Sequence, residues 1–406
     1  MGATEDFGAR EQSAELERLL ARHRQDFLER FPGTGDVRLF FSPGRVNLMG
    51  AHLDYNGGPV MPMTVHCGTF IAARPRTDRA VRMATSFGVE CYELDLDRLP
   101  DRGVGAWVDY PLGVARLLVK QTESACGLDI LFGGNLPIGA GLSSSASICV
   151  GTAFALDQLW SAEFSPEVRV DAALNAEREF VGVHCGIMDP FAVGYARPSH
   201  LLWLDCKDQS REHLPLDSSS VRIAVVDTNV RRELAHGAFN QRVAECREAF
   251  EVLAKHADDA TCLRDIPREV LEAHASELKP DVAKRAKHVL SEVERTFIAR
   301  DALLAGNLDL FGAQMSAAHH SLAEDFEVSV GELDCLVNAA ISTEGVLGSR
   351  LTGAGFGGCI VVLLRVEACE GFEARMAAAY QEAYKQTPKL WFFAGDAGPR
   401  EFSLAN

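Results

Sequence analysis

The chain contains no C-x-x-C pair, no Gly-Lys dipeptide, and no run of the roughly 18 apolar residues that a membrane-spanning helix needs. Each absence removes a class of protein. Its 11 cysteines are scattered and odd in number, so neither a disulfide framework nor a cysteine zinc site is expected, and they read as small core residues in a reducing compartment. Without Gly-Lys there is no Walker A loop. The opening MGATEDFGAREQ is acidic and has no apolar h-region, which leads to the expectation of a cytoplasmic protein without a membrane partner. Basic residues are also scarce: 40 Lys and Arg against 57 Asp and Glu leave a formal charge of −17, which argues against nucleic acid as a partner. No internal repeat or long low-complexity segment is present. What remains is an ordinary globular composition, 47% hydrophobic and 24% charged over 406 residues, long enough for two domains and suited to a soluble enzyme of small metabolites.

Leu16, Leu19, Leu20, Phe27, Leu28 and Phe31 form a helical stripe stopped by Pro32 and Gly33. Strands are expected at Val37–Phe41, at Val65–Ala73, over Val81–Leu96 with a hairpin break at Ser86-Phe87-Gly88, and at Leu128–Phe132. Ser145–Trp160 is apolar on nearly all sides and should be a buried helix. The polar stretch DCKDQSREHLPLDSSS, 205–220, lacks periodicity and suggests a boundary between domains 1–205 and 206–406. Beyond it come a strand at Val221–Val226, amphipathic helices over about 237–344, a strand at Cys359–Leu364 and a last helix near 367–385. Helices and strands mix without steady alternation, so the expected class is α+β.

Three glycine-containing stretches could carry chemistry. PIGAGLSSSAS, 137–147, places small flexible residues and hydroxyls at a helix entrance, where unpaired backbone N–H groups and the helix dipole favour an anion; a simple serine-capped turn is the alternative. GAGFGG, 353–358, fits G-x-G-x-x-G but leads into the strand-like CIVVLL rather than a helix, so it is a tight glycine turn and not a dinucleotide fingerprint. In EREFVGVHCGIMDPF, 177–191, Glu177 shares an apolar helical stripe with Ala173, Phe180 and Val181, and a carboxylate there needs a donor, a base or a metal. Asp189, preceding Pro190, is expected outside helical geometry at the end of a loop. Taken singly, each acid also fits a cap or a surface ion pair.

Together, SPGRVNLMGAHLDYNGG, LPIGAGLSSSAS and SRLTGAGFGGC, in this order, resemble the three signature motifs of the GHMP sugar and metabolite kinases. CGIMD, HLLWLDC and DTNVRREL further resemble the galactokinase branch, and the similarity runs from about residue 37 to the C-terminus. The resemblance implies a two-domain GHMP kinase fold with mixed sheets, helices packed on them, and an active site in the interdomain cleft. It implies ATP and Mg²⁺, a small-molecule sugar, and no obligate protein partner. Gly139, Ala140, Gly141, Leu142, Ser143, Ser144 and Ser145 would wrap the ATP phosphates, with Trp107 on the adenine side. Glu177 with Ser144 or Ser145 would hold Mg²⁺. Asp189 would receive the proton of the sugar C1 hydroxyl, with Arg45 beside it; an adjacent cation favours the charged carboxylate that accepts a proton. His52 and Asp54 would grip sugar hydroxyls and Gly186 would line the pocket.

The chain departs from that pattern at two sugar contacts. Ala51 stands where galactokinases carry a glutamate, and Phe239 where they usually show a tyrosine. Losing a charged hydrogen bond would cost galactose about 1.5–3 kcal/mol, whereas a sugar with a C6 carboxylate would escape about 4 kcal/mol of repulsion. The expectation is therefore a galactose-type hexose altered at C6, D-galacturonate first, with Arg231, Arg232 and His236 as candidate cations; ordinary D-galactose is the alternative. A non-catalytic sugar-binding regulator would have a damaged loop or base, whereas here Ser143, Ser144, Ser145, Glu177, Arg45 and Asp189 are all in place.

Overall fold

The computed structural model describes residues 5–403 apart from 138, 184 and 232–234, and describes only the backbone of 5–13, 235 and 236. The amphipathic N-terminal stripe forms α1 (Glu5–Arg30), which runs into β1 (Arg38–Asn47), β2 (Pro59–Val60), β3 (Pro62–Pro75), β4 (Ala80–Thr85) and β5 (Cys91–Asp95). Next come α2 (Asp109–Leu118), β6 (Leu128–Gly134), α3 (Ser144–Trp160), α4 (Pro166–Asn175) and α5 (Met188–Gly194), then β7 (His200–Asp205), β8 (Arg211–Pro215) and β9 (Val221–Asp227). Five helices follow, α6 (Ala235–Leu253), α7 (Arg268–His274), α8 (Pro280–Leu304), α9 (Leu308–Glu324) and α10 (Gly331–Ile341). The chain closes with β10 (Val346–Thr352), β11 (Cys359–Arg365), α11 (Phe372–Tyr384), β12 (Lys389–Phe393) and β13 (Arg400–Phe402).

Three sheets result: a six-stranded one in the order β13-β1-β3-β6-β4-β5, a four-stranded one in the order β10-β11-β9-β12, and a small one in the order β2-β7-β8. Within the first sheet only the β4–β6 pairing is parallel. This is the mixed α+β architecture that the unsteady sequence pattern implied.

Apolar packing joins the two halves. Val46 and Met63 of the first sheet share a buried cluster with Ile223 and Val361 of the second, and Ala51 and Leu53 sink into the cluster that also holds Val226 and Leu322. The loop carrying the first motif is thus anchored in the core of the second half. Among the described residues, no helix is long and apolar enough to cross a membrane.

Several elements differ from their sequence expectation. The polar stretch 205–220 contains β8, so the position 205/206 falls inside the β7–β8 hairpin. The C-terminal β13 returns to pair with β1, Leu39 opposite Phe402. Pairing with β3 extends β1 through Pro43 and Gly44 as far as Asn47, with a register shift at Pro43/Gly44 that absorbs the proline. The helix expected around Glu177 ends at Asn175, and Glu177 lies in a wider π-helical turn, Ala176–Val181. Asp189 and Pro190 are in the first turn of α5 rather than outside helical geometry; a proline is tolerated there because its missing N–H would have had no partner in the helix.

Candidate active site

Arg45, near the end of β1, and Asp189, in the first turn of α5, are 144 positions apart and meet as a two-pronged ion pair. Arg45 Nε donates to Asp189 Oδ1 at 2.6 Å and a terminal nitrogen donates to Oδ2 at 2.5 Å. The remaining terminal nitrogen donates to the Gly141 carbonyl at 2.6 Å, and the Arg45 N–H to the Leu142 carbonyl at 3.0 Å. The guanidinium therefore ties the acid to the glycine-serine loop. Planar fork geometry makes arginine the side chain that can do this.

On one side of the pair is a cavity of about 500 Å³ lined by Arg45, Ala51, His52, Asp54, Gly186, Asp189 and Phe239. All seven sugar-side and catalytic residues inferred from sequence thus come together. Asp54 is pushed up to about 6, chiefly by burial and then by the Asp189 charge. A Cβ on Gly186 would lie 1.7 Å from Asp54 Oδ2, so only glycine lets the loop pass the carboxylate. His52 adopts φ +58°, a backbone region that non-glycine residues seldom occupy outside tightly held sites. Burial, aided by His288, Arg350 and Arg242, lowers its ring to about 3, so it is neutral. Its Nδ1 bonds the Tyr55 hydroxyl at 2.9 Å, while its Nε2 is buried without a hydrogen-bond partner. The Phe239 ring packs on His52 and Tyr55.

On the other side lies a cavity of about 630 Å³, which shares Arg45, Gly353 and Ala354 with the first. Gly139, Gly141, Leu142, Ser143, Ser144 and Ser145 line it, opposite Thr352 and the 353–358 glycine turn. The loop bends through positive φ at Gly139, Gly141 and Ser143 before α3 begins at Ser144. Ala140 does not join this lining; it is 1% exposed and packs in the core with Leu142. The Ser143 hydroxyl donates to Asp189 rather than facing only the cavity. Arg231 lines the same cavity, but both of its terminal nitrogens bond Asp227, at 2.8 and 2.6 Å.

Glu177 is 2% exposed, and its Oε1 is a buried carboxylate oxygen without a hydrogen-bond partner. Burial first, and Asp189 second, raise it to about 7, against a lowering contribution from the Ser145 hydroxyl. An orphaned oxygen beside a serine hydroxyl and within the field of a second carboxylate is a donor set that suits a hard divalent cation. Both Ser144 and Ser145 line the loop cavity, and of the two it is the Ser145 hydroxyl that acts on the Glu177 carboxylate. Trp107 lies apart, lining a separate cavity of about 400 Å³ with Tyr110 and Phe180, its indole N–H buried without a partner.

The chain is similar to known proteins along most of its length. Residues 109–197 match the GHMP kinases N terminal domain, 25–75 the galactokinase galactose-binding signature, and 299–381 the GHMP kinases C terminal family. A galactokinase of Chloroflexus aggregans is 40% identical over 352 residues, covering 87% of this chain and 90% of that one. One from Enterococcus faecalis is 38% identical over 379 residues, covering 92% and 97%. The chain belongs to the galactokinase family. A structure of Lactococcus lactis galactokinase complexed with galactose superposes with a TM-score of 0.88 at 34% identity, covering 95% of this chain and all of that one. Mevalonate kinase, at 18% identity and a TM-score of 0.65, shares the fold.

As a galactokinase-family member the chain is a sugar kinase, and its site includes residues that the sequence patterns did not single out. Glu292 of α8, fully buried, accepts the Gly50 and Ala51 N–H groups at 3.1 Å each and is neutralised by Arg295 at 2.8 Å. His288 Nε2 meets the Ala51 carbonyl at 3.3 Å. Arg350, 1% exposed, donates to the carbonyls of Asn47 at 2.6 Å, Leu48 at 2.7 Å and Leu351 at 3.1 Å. The i, i+4 spacing of His288 and Glu292 places both on one face of α8, the signal from which a buried polar face could have been read.

Proposed function

We propose that this family member transfers the γ-phosphoryl group of ATP to the C1 hydroxyl of D-galactose with Mg²⁺. The observation that carries the reading is the Arg45–Asp189 pair standing where the two cavities meet. A hexose in the smaller cavity would present its anomeric hydroxyl to Asp189. As the C1 oxygen attacks the γ-phosphorus, its proton passes to Asp189 and ADP leaves. Phosphoryl transfer needs chiefly alignment and charge neutralisation, which Arg45 and the loop amides supply from fixed positions. Glu177 and Ser145 would hold Mg²⁺, which when bound offsets phosphate charge. A cytoplasmic setting suits the unpaired cysteines.

The C6 carboxylate expected from Ala51 finds little support. The sugar cavity already contains the carboxylates Asp54 and Asp189. Its two arginines are committed, Arg45 to Asp189 and Arg350 to three carbonyls. Of the candidate cations, Arg231 bonds Asp227, while Arg232 and the His236 side chain lie outside the described residues. An added sugar carboxylate would face like charge without a dedicated partner. ADP release from Mg-ATP with D-galactose and, separately, with D-galacturonate tests the reading. Galactose should lead in kcat/KM by more than tenfold; a lead for galacturonate would overturn the assignment, and sugar binding without ADP release would point to a regulator.

A further inference from the structure

We infer that His256, His274 and Glu277 form a binding site for a divalent transition-metal ion such as Zn²⁺, outside the catalytic cleft, which clips together the two ends of segment 257–273. His256 ends the short turn after α6, His274 is the last residue of α7, and Glu277 lies in the turn that follows. Their donor atoms all lie within 4.8 Å of one another. The two imidazoles stack at 3.6 Å, 11° from parallel. His256 Nε2 lies 3.0 Å from one Glu277 oxygen and His274 Nδ1 lies 2.7 Å from the other. Two ring nitrogens and a carboxylate are the donor types that zinc takes, at about 2.0–2.2 Å with water completing the shell, and binding would turn the two imidazoles out of their stack so that each lone pair points at the ion. The side chains are 30%, 31% and 44% exposed, so an ion can enter from solvent.

The clipped segment supports the sugar motif. Its Arg264 donates to the Gly57 carbonyl at 3.0 Å and to the Asp205 carboxylate, and a Cβ on Gly57 would lie 2.5 Å from Cys262 Sγ. An ion joining the segment's ends would therefore steady the surface on which the Asn56-Gly57 turn rests, affecting stability and sugar KM more than kcat.

The test is titration of the full-length, metal-free protein with Zn²⁺ alone, followed calorimetrically, and with Co²⁺, followed by visible absorption. Wild type should bind one equivalent with a rise in unfolding temperature. His274→Gln and Glu277→Gln should each weaken that binding about tenfold or more and lose the temperature rise, while unfolding like wild type without metal. Binding that persists unchanged in both variants, a thiolate charge-transfer band with Co²⁺, or no saturable binding would each overturn the inference.

Discussion

Arg45 holds both carboxylate oxygens of Asp189 while its third nitrogen holds the Gly141 carbonyl of the phosphate-side loop. One side chain therefore sets the acid and the loop in register. Arg45→Lys keeps the charge but loses the fork, and kcat should fall about 10²-fold with sugar KM little changed. Steady-state kinetics in both substrates check this; an unaltered kcat would show that the fork does not position the acid.

Glu177 is raised from its ordinary 4.5 to about 7. The folded, metal-free chain thus holds this proton more tightly than the unfolded chain, so the associated stability is full below pH 4.5 and is lost as pH rises through 7. Glu177→Gln should accordingly stabilise the metal-free protein at pH 8, by on the order of 3 kcal/mol at most, with the gain shrinking toward pH 5. Wild type should gain apparent Mg²⁺ affinity between pH 6 and 8 as Glu177 ionises, and the same substitution should abolish that gain. Thermal unfolding and Mg²⁺-dependent rates measure the two effects.

Gly186 passes so close to Asp54 that any Cβ would displace the carboxylate. Gly186→Ala should lower kcat/KM for the sugar by about 10–100-fold, corresponding to an overpacking cost of ~1–3 kcal/mol, while KM for ATP stays near wild type. Equal losses for both substrates would place the residue's role elsewhere.

Ala51 lines the cavity proposed to take the sugar, with its backbone N–H already taken by Glu292. Ala51→Glu should add an acceptor for a sugar hydroxyl and raise kcat/KM for D-galactose about tenfold, while further depressing turnover of D-galacturonate. A gain for the acidic sugar would revive the idea of a C6-carboxylate substrate.

Much of this architecture was legible in the sequence because its signals are local. The apolar stripe of α1, the all-round apolar α3 and the dense run of β11 announce themselves by period alone. So do the glycine-rich loops, which needed their order along the chain to become a site. What escaped reading is what depends on distant partners. The short β2 and β8 are strands because β7 lies between them, and β13 because β1 offers an open edge. Asp189 enters a helix despite Pro190, since a first turn has no use for the missing N–H. Glu292 and Arg350 hold the backbone of the first motif from elements more than 200 residues away, a pairing that no local pattern reveals.

The most direct test of the account joins turnover to product identity in wild type and Asp189→Asn. With D-galactose and Mg-ATP, ³¹P NMR should show wild type forming the 1-phosphate alone. Asp189→Asn should bind the sugar within about threefold of wild type yet turn over 10²–10⁴-fold more slowly, the range expected for loss of a general base. Phosphate on another hydroxyl, or an Asn variant that keeps wild-type turnover, would contradict it.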